Sequence, residues 1–169
     1  FKRFQTQLVW RAERPQRGRY REFLQCDVDI IGESHFLNEV ECIKIYDTVF
    51  KRLSMPKVNL RINNRQILDG ISQLMNLDSA NEIAPVLDKS DKIGYEGVIK
   101  MLTEMNISDS SINQLKFFLE LKGSNQDKIN SIRAKFTSNN ISIDGVDLLE
   151  KIINTCLLYT SPSPRDSIR

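Results

Sequence analysis

The sequence predicts an α+β fold: part of an antiparallel sheet with flanking helices, followed by a small all-helical domain. Three observations predict it. Residues 4–11 and 23–30 alternate apolar and polar side chains with the period of a strand. Residues from about 35 to 53 and from about 64 to 75 carry apolar side chains at helical spacing. From about residue 88 the strand patterns stop and short amphipathic stripes follow one another. At 169 residues a chain can bury one core, or a core plus a small satellite.

In the first strand Phe4, Thr6, Leu8 and Trp10 share one face, opposite Gln5, Gln7, Val9 and Arg11. In the second, Leu24, Cys26, Val28 and Ile30 lie opposite Phe23, Gln25, Asp27 and Asp29. One apolar and one polar face fit an antiparallel sheet packed on one side. The connection over residues 12–21 contains Pro15 and Gly18. It is too long for a tight hairpin turn, and long connections in compact domains often carry function. The helix at about 35–53 has Ser34 placed as its cap and Phe36, Val40, Ile43 and Phe50 on one stripe. Glu39 and Glu41 come early and Lys51 and Arg52 late, matching the helix dipole. After Pro56, Val58, Leu60 and Ile62 alternate with Asn59, Arg61 and Asn63, which reads as another strand. The helix at about 64–75 then places Ile67, Ile71, Leu74 and Met75 together.

The helical part shows four stripes. Tyr95, Val98, Ile99, Leu102 and Met105 form the first; Ile112, Leu115 and Leu119 form the second, with Gly123 read as the residue just past its end. Ile129, Ile132 and Phe136 make the third, and Val146, Leu149 and Ile153 the fourth, with Asp144 as its N-cap. These stripes read as the core of that domain. The final CLLYTSPSPRDSIR breaks the pattern, because SPSP cannot continue a helix. It resembles translated library-adapter sequence, so residues 156–169 are expected to be non-native or a disordered tail. The expected division is 1–87, 88–155 and 156–169.

Hydrophobic content of 40% and charged content of 27% are ordinary for a soluble globular protein. The net charge of +2 creates no global field. Residues 1–22 hold seven Lys/Arg against two Glu, a net of +5, which leaves −3 for the remainder. A local basic patch on a near-neutral body points to an anionic ligand at one place. Cys26, Cys42 and Cys156 are odd in number and form no CxxC pattern, which reads as reduced thiols. His35 is the only histidine and has no ligand-spaced partner, which argues against a zinc site. No apolar run approaches the length of a membrane span, and no signal peptide is visible. The expected location is cytoplasmic. The chain begins with Phe1 rather than Met and opens inside a strand pattern, so the expectation is an internal fragment.

Arg11, Arg14, Arg17, Arg19 and Arg21 fall within eleven positions, and the aspartate-bearing strand follows at once. Same-face neighbours on that strand lie roughly 6.5–7 Å apart, so Phe23, Gln25, Asp27 and Asp29 form a row. Arginine forks onto phosphate, a phenyl ring stacks on a base, and a carboxylate accepts from an ammonium or imidazole N–H. Arg14, Arg17 and Arg19 could close over phosphates or reach a nucleic-acid backbone. The bland reading is a solvated basic loop beside a polar sheet face. Another reading takes Asp27 and Asp29 as a carboxylate pair for glycoside hydrolysis, although nearby arginines would lower both pKa values and remove the neutral acid.

WRAERPQRGRYREFLQCDVDIIG resembles motif 2 of class II aminoacyl-tRNA synthetases, in the form used by histidyl-tRNA synthetases. RAERPQRGRYREF is its specific part, and LRINNRQILDGI and LDKSDKIGYEGV are also similar to that family, so the resemblance covers about residues 1–155. It implies part of the class II antiparallel sheet followed by a helical insertion domain. It also implies activation of histidine with ATP and Mg2+, then transfer to tRNA(His), by a protein that is a homodimer and needs no membrane. Carried over by position, Arg11 looks like the catalytic arginine that binds the α-phosphate. Glu13 looks like a contact to the adenine side of ATP, Arg19 like a β/γ-phosphate ligand, and Phe23 like the ring that stacks on adenine. Gln25 matches the amide that orients the α-amino group. Asp29 matches the acid that recognises the imidazole, here Asp where some members have Glu. Arg14, Gln16 and Arg17 fall where the loop would meet the tRNA acceptor end. The resemblance assigns Asp27 no role and implies no metal-ligating residues here.

The family's motif 1 and its TxP-type loop would precede Phe1. Its later histidine-specific motif, motif 3 and anticodon-binding domain would follow about residue 155. The expectation is therefore half of a catalytic site, inactive alone. The alternative is a non-enzymatic regulatory or sensor paralogue on the same fold. Such relatives often lose the ATP and tRNA contacts, whereas the loop here is intact.

Overall fold

The structure is a computed structural model that describes residues 1–56 and 58–160. The chain divides into two compact units, Phe1–Val58 and Asn59–Arg169. In the first, β1 (Lys2–Trp10) and β2 (Glu22–Ile30) form a two-stranded antiparallel sheet, and α1 (Phe36–Arg52) follows. The register runs from Lys2 opposite Ile30 to Trp10 opposite Glu22. Residues opposite one another share a face. One face therefore carries Arg3, Gln5, Gln7 and Val9 beside Asp29, Asp27, Gln25 and Phe23.

The two faces are covered in the reverse of the expected sense. Gln5, Val9, Phe23, Gln25, Asp27 and Asp29 on the odd-numbered face are half-buried. On the even-numbered face Phe4 is 73% exposed, Trp10 69% and Leu24 64%. Among the described residues of this unit Val40 is the only buried hydrophobic side chain, so no second apolar layer covers that face. Lys2 reaches Glu41 at 2.6 Å and ties the hairpin to α1. The cap of α1 is His35 rather than Ser34: the helix starts at Phe36, and His35 Nδ1 accepts the Leu37 N–H at 3.3 Å.

Residues 58–63 do not form the expected strand. A strand needs a hydrogen-bonded neighbour, and the described sheet consists of β1 and β2 alone. Val58 and Leu60 are exposed, and Arg61 forks onto Asp91 at 2.7 and 3.0 Å.

The second unit is helical: α2 (Arg65–Leu74), a 3-10 turn at Ala80–Glu82, α3 (Ala84–Leu87), α4 (Ser90–Glu104), α5 (Asp109–Leu119), α6 (Asn125–Ser138) and α7 (Asp144–Thr160). Side-chain oxygens of Asn64, Ser79, Ser108 and Ser124 take the first N–H groups of the elements that follow them. Within α4 the backbone breaks at Gly94, where φ is 69°. Gly123 is not the end of α5, which is capped at Glu120. It precedes the Ser124 cap of α6 at φ 99°, where a Cβ would come within 2.9 Å of Asp127 Oδ2. Asp144 lies inside the first turn of α7 rather than capping it, and Ser142 Oγ accepts its N–H at 3.2 Å. Of the expected tail, 156–160 continue α7, and 161–169 lie outside the described residues.

The four stripes meet in one core. Val98 and Leu102 of α4, Ile112 and Leu115 of α5, Ile129 and Phe136 of α6 and Val146 of α7 are buried together. Ile67 and Ile71 of α2, Met75, Ile83 and Val86 join them. The helical core therefore already takes in residues well before 88. Phe136 is fully buried against Gly70, where a Cβ would lie 2.6 Å from its ring. Ser111 is the buried hydroxyl that donates to the Met75 carbonyl, at 2.5 Å. Across α6 and α7, Arg133 bonds Asp147 at 2.8 Å and Glu150 at 2.6 Å, and Gln126 bonds the other Glu150 oxygen at 2.5 Å. Among the described residues no helix is long and apolar enough to cross a membrane.

Truncating Phe136 to Ala is expected to cost about 3–5 kcal/mol of unfolding free energy by leaving a cavity against Gly70. Urea unfolding checks this by a lower midpoint at unchanged slope. Hydrogen bonds from Gln126 and then Arg133 hold the Glu150 carboxyl below the usual carboxylate range. A depressed carboxylate contributes stability above its unfolded pKa and loses it as pH falls through the folded value. Melting temperature should therefore drop on acidification, and Glu150→Gln should flatten that drop while lowering the neutral-pH value.

Candidate functional site

The site is the hairpin and its connection. Arg11 N donates to Arg21 O at 2.8 Å, carrying the ladder one residue beyond the strands. Arg11 thereby keeps the parity of the odd-numbered face. Its guanidinium lies 4.7 Å from the centroid of the Phe23 ring, a cation–π contact. Phe23 is a diagonal cross-strand neighbour of Arg11, close enough for a long side chain to cover an aromatic one.

The connection is less open than its length suggests. Gln16 and Arg19 exchange backbone hydrogen bonds at 3.1 and 2.9 Å and close a tight turn over Arg17 and Gly18. Gly18 sits at φ 75°, a conformation that favours glycine. The Arg19 guanidinium pairs with the Glu13 carboxylate at 3.0 Å, and Arg21 Nε donates to the Glu13 carbonyl at 3.4 Å. Arg19 and Glu13 are thus held against each other, while Arg14, Gln16 and Arg17 are exposed around the tip.

Towards the other end of the face, Gln25 Nε2 donates to Asp27 Oδ1 at 2.5 Å. Arg3 sends both Nε, at 2.9 Å, and Nη2, at 2.6 Å, to Asp29 Oδ2. The face therefore reads, in order, a cation on a ring, an amide braced by a carboxylate, and a second carboxylate braced by a cation. Sequence reasoning missed Arg3 and the bond to Asp27. Parity would place Arg3 with Asp29 only once the register is fixed. The same contacts count against a glycosidase pair, since one carboxylate is engaged by an arginine and the other by an amide. On the reverse face Trp10 Nε1 donates to Glu22 at 2.5 Å and Thr6 to Cys26 Sγ at 3.5 Å. Among the described residues no group of three or more His, Cys, Asp or Glu side chains is placed to hold a metal ion.

Known proteins resemble the chain along most of its length. A family model described as "Histidyl-tRNA synthetase" matches residues 5–158. A histidine–tRNA ligase of Azobacteroides pseudotrichonymphae is 47% identical over 155 residues, covering 91% of this chain and 34% of that protein. That of Bacteroides fragilis strain YCH46 is 44% identical over 156 residues, covering 92% and 34%. A crystal structure of histidyl-tRNA synthetase from Nostoc sp. PCC 7120 superposes with a TM-score of 0.84 at 25% identity, covering 96% of this chain and 38% of that one. The chain thus spans about a third of the length of the curated relatives it matches.

Replacing Gly18 by Ala should strain the tip turn by about 1–2 kcal/mol, because only the backbone conformation opposes the new methyl. Amide hydrogen exchange at Arg19, whose N–H closes the turn, is expected to quicken roughly fivefold or more. An unchanged rate would show that the turn does not depend on the left-handed glycine.

Proposed function

The chain belongs to the histidyl-tRNA synthetase family, and on that premise we propose that it supplies the motif 2 hairpin and helical insertion of a histidine–tRNA ligase. Such a protein activates histidine with ATP as the adenylate and transfers it to tRNA(His). The observation that carries the reading is the shared parity of Arg11, Phe23, Gln25 and Asp29, which lets one sheet face meet one composite ligand.

Arg11 would bind the α-phosphate. During attack by the histidine carboxylate, negative charge builds on the oxygens of that phosphorus, and a fixed guanidinium beside them lowers the barrier. Phe23 would stack on adenine, and the present contact with Arg11 keeps ring and cation next to each other. Glu13 would touch the adenine side of ATP and Arg19 the β- and γ-phosphates, so nucleotide binding would exchange part of their mutual ion pair for substrate contacts. Magnesium would arrive with the nucleotide as part of the substrate. Gln25 would accept the α-ammonium group, and Asp29 an imidazole N–H. Arg3 bonds one Asp29 oxygen only, which leaves Oδ1 as the one offered to the ligand. The exposed Arg14, Gln16 and Arg17 would meet the acceptor end of tRNA through its backbone.

In this reading the sheet unit is part of the catalytic core and the helical unit is the insertion. In support of taking α2 and α3 with the insertion, Ile67, Ile71 and Val86 are buried in the helical core. The ligase would work in the cytoplasm as a homodimer, without a membrane.

The test uses the full-length protein in histidine-dependent ATP–pyrophosphate exchange. Arg11→Ala is expected to lower kcat by about 100-fold or more, the scale for removing a preorganised transition-state charge. Asp29→Ala should raise KM for histidine far more than KM for ATP. Normal exchange by the Arg11 variant would remove its assigned role, and no exchange by the unaltered protein would overturn the ligase reading.

A further inference from the structure

Asp27 is the carboxylate of the odd-numbered face that the proposed mechanism leaves unused. It stands two residues from Gln25 on β2, so both point to the same side. Both are half-buried, and the bond between them runs from Gln25 Nε2 to Asp27 Oδ1 at 2.5 Å. The next carboxylate along, Asp29, is engaged from the opposite strand by Arg3.

Donor and acceptor chemistry gives this bond a direction. A carboxylate accepts and does not donate. The Gln25 amide must therefore turn its NH2 group towards Asp27, and its carbonyl Oε1 is the end left to face a ligand. An ammonium group donates and does not accept. Of the two ends of the amide, only Oε1 can receive it. A glutamine amide with no fixed neighbour can swap its ends, and in the swapped state it would meet an ammonium group donor against donor.

We propose that Asp27 is a positioning residue, holding the Gln25 amide in the one orientation that accepts the α-ammonium group of the amino acid substrate. This rests on the reading of Gln25 given above. Because Asp27 acts through Gln25, its contribution concerns recognition of the ammonium group and not of the imidazole or the nucleotide.

The experiment measures, in the full-length protein, the affinity for histidine relative to imidazole-propionate, the same molecule without its amino group. Gln25→Ala, Asp27→Ala and the double variant are compared, with KM for ATP followed in parallel. Asp27→Ala is expected to reduce the preference for histidine roughly tenfold, a coupling of ordinary size for groups in one hydrogen-bonded network. KM for ATP should stay unchanged, and the double variant should lose no more preference than Gln25→Ala alone. If Gln25→Ala alters the preference and Asp27→Ala does not, the positioning role falls. If the two losses add in full, Asp27 meets the ligand directly and the role falls as well. If Gln25→Ala itself leaves the preference unchanged, it is the assignment of Gln25 that fails, which keeps the two failures apart. Asp27→Asn preserves the shape and provides a second variant. It should move the preference in the same direction by a smaller factor, since its own amide can turn either way.

Discussion

Nine cross-strand pairs, from Lys2 with Ile30 to Trp10 with Glu22, lock the parity of one strand to that of the other. Everything offered to a ligand by the hairpin follows from that lock. Slippage by one residue would send Phe23, Gln25, Asp27 and Asp29 to the opposite face from Arg3 and Val9. The register is reinforced at both ends by polar contacts: the Arg3–Asp29 ion pair at one, and the bond from Trp10 to Glu22 at the other. An exposed ion pair of this kind adds little to stability, commonly about 0–1 kcal/mol. Its value lies in placing the carboxylate.

Much of this was legible in the residues, because period and parity are local properties. The alternation at 4–11 and 23–30 located both strands, and the stripes from Tyr95 to Ile153 located α4 to α7 and their core. Alternation at 58–63 misled, since it records side-chain order and not whether a neighbouring strand exists to pair with. The cap of α1 slipped by one position from Ser34 to His35, and Asp144 became the first residue of α7 with its N–H on Ser142, for a related reason: polar residues stand close together there, and the helix start decides which of them faces the open N–H groups. Residues 80–87 were too short to show a period, so their place in the helical core could be seen only after folding. In the site, sequence supplied the residue types and their parity. It did not supply Arg3 as the partner of Asp29, because that needs the register, nor the bond between Gln25 and Asp27, because that needs side-chain orientation.

The two units stabilise themselves by different means. The helical unit has an apolar centre in which Phe136 fits over Gly70, and the buried hydroxyl of Ser111 closes the end of α2 by donating to the Met75 carbonyl. The sheet unit fully buries Val40, half-buries Phe36, Ile43, Ile45 and Phe50 of α1, and pairs its two strands through the backbone.

The bridge between Gln16 and Arg19 changes how the arginine-rich connection should be pictured. It splits the stretch between the strands into two short arms, Ala12–Pro15 and Tyr20–Arg21, joined by a closed turn. Pro15 fixes one backbone angle in the longer arm. A long free loop surrenders conformational entropy when it wraps an anion, at about 1–2 kcal/mol for each residue fixed. Here the Gln16–Arg19 bridge and Pro15 already fix a good part of that backbone, so a ligand would order side chains more than backbone. The tip should then engage its target as a preformed prong, its arginines swinging from a fixed base.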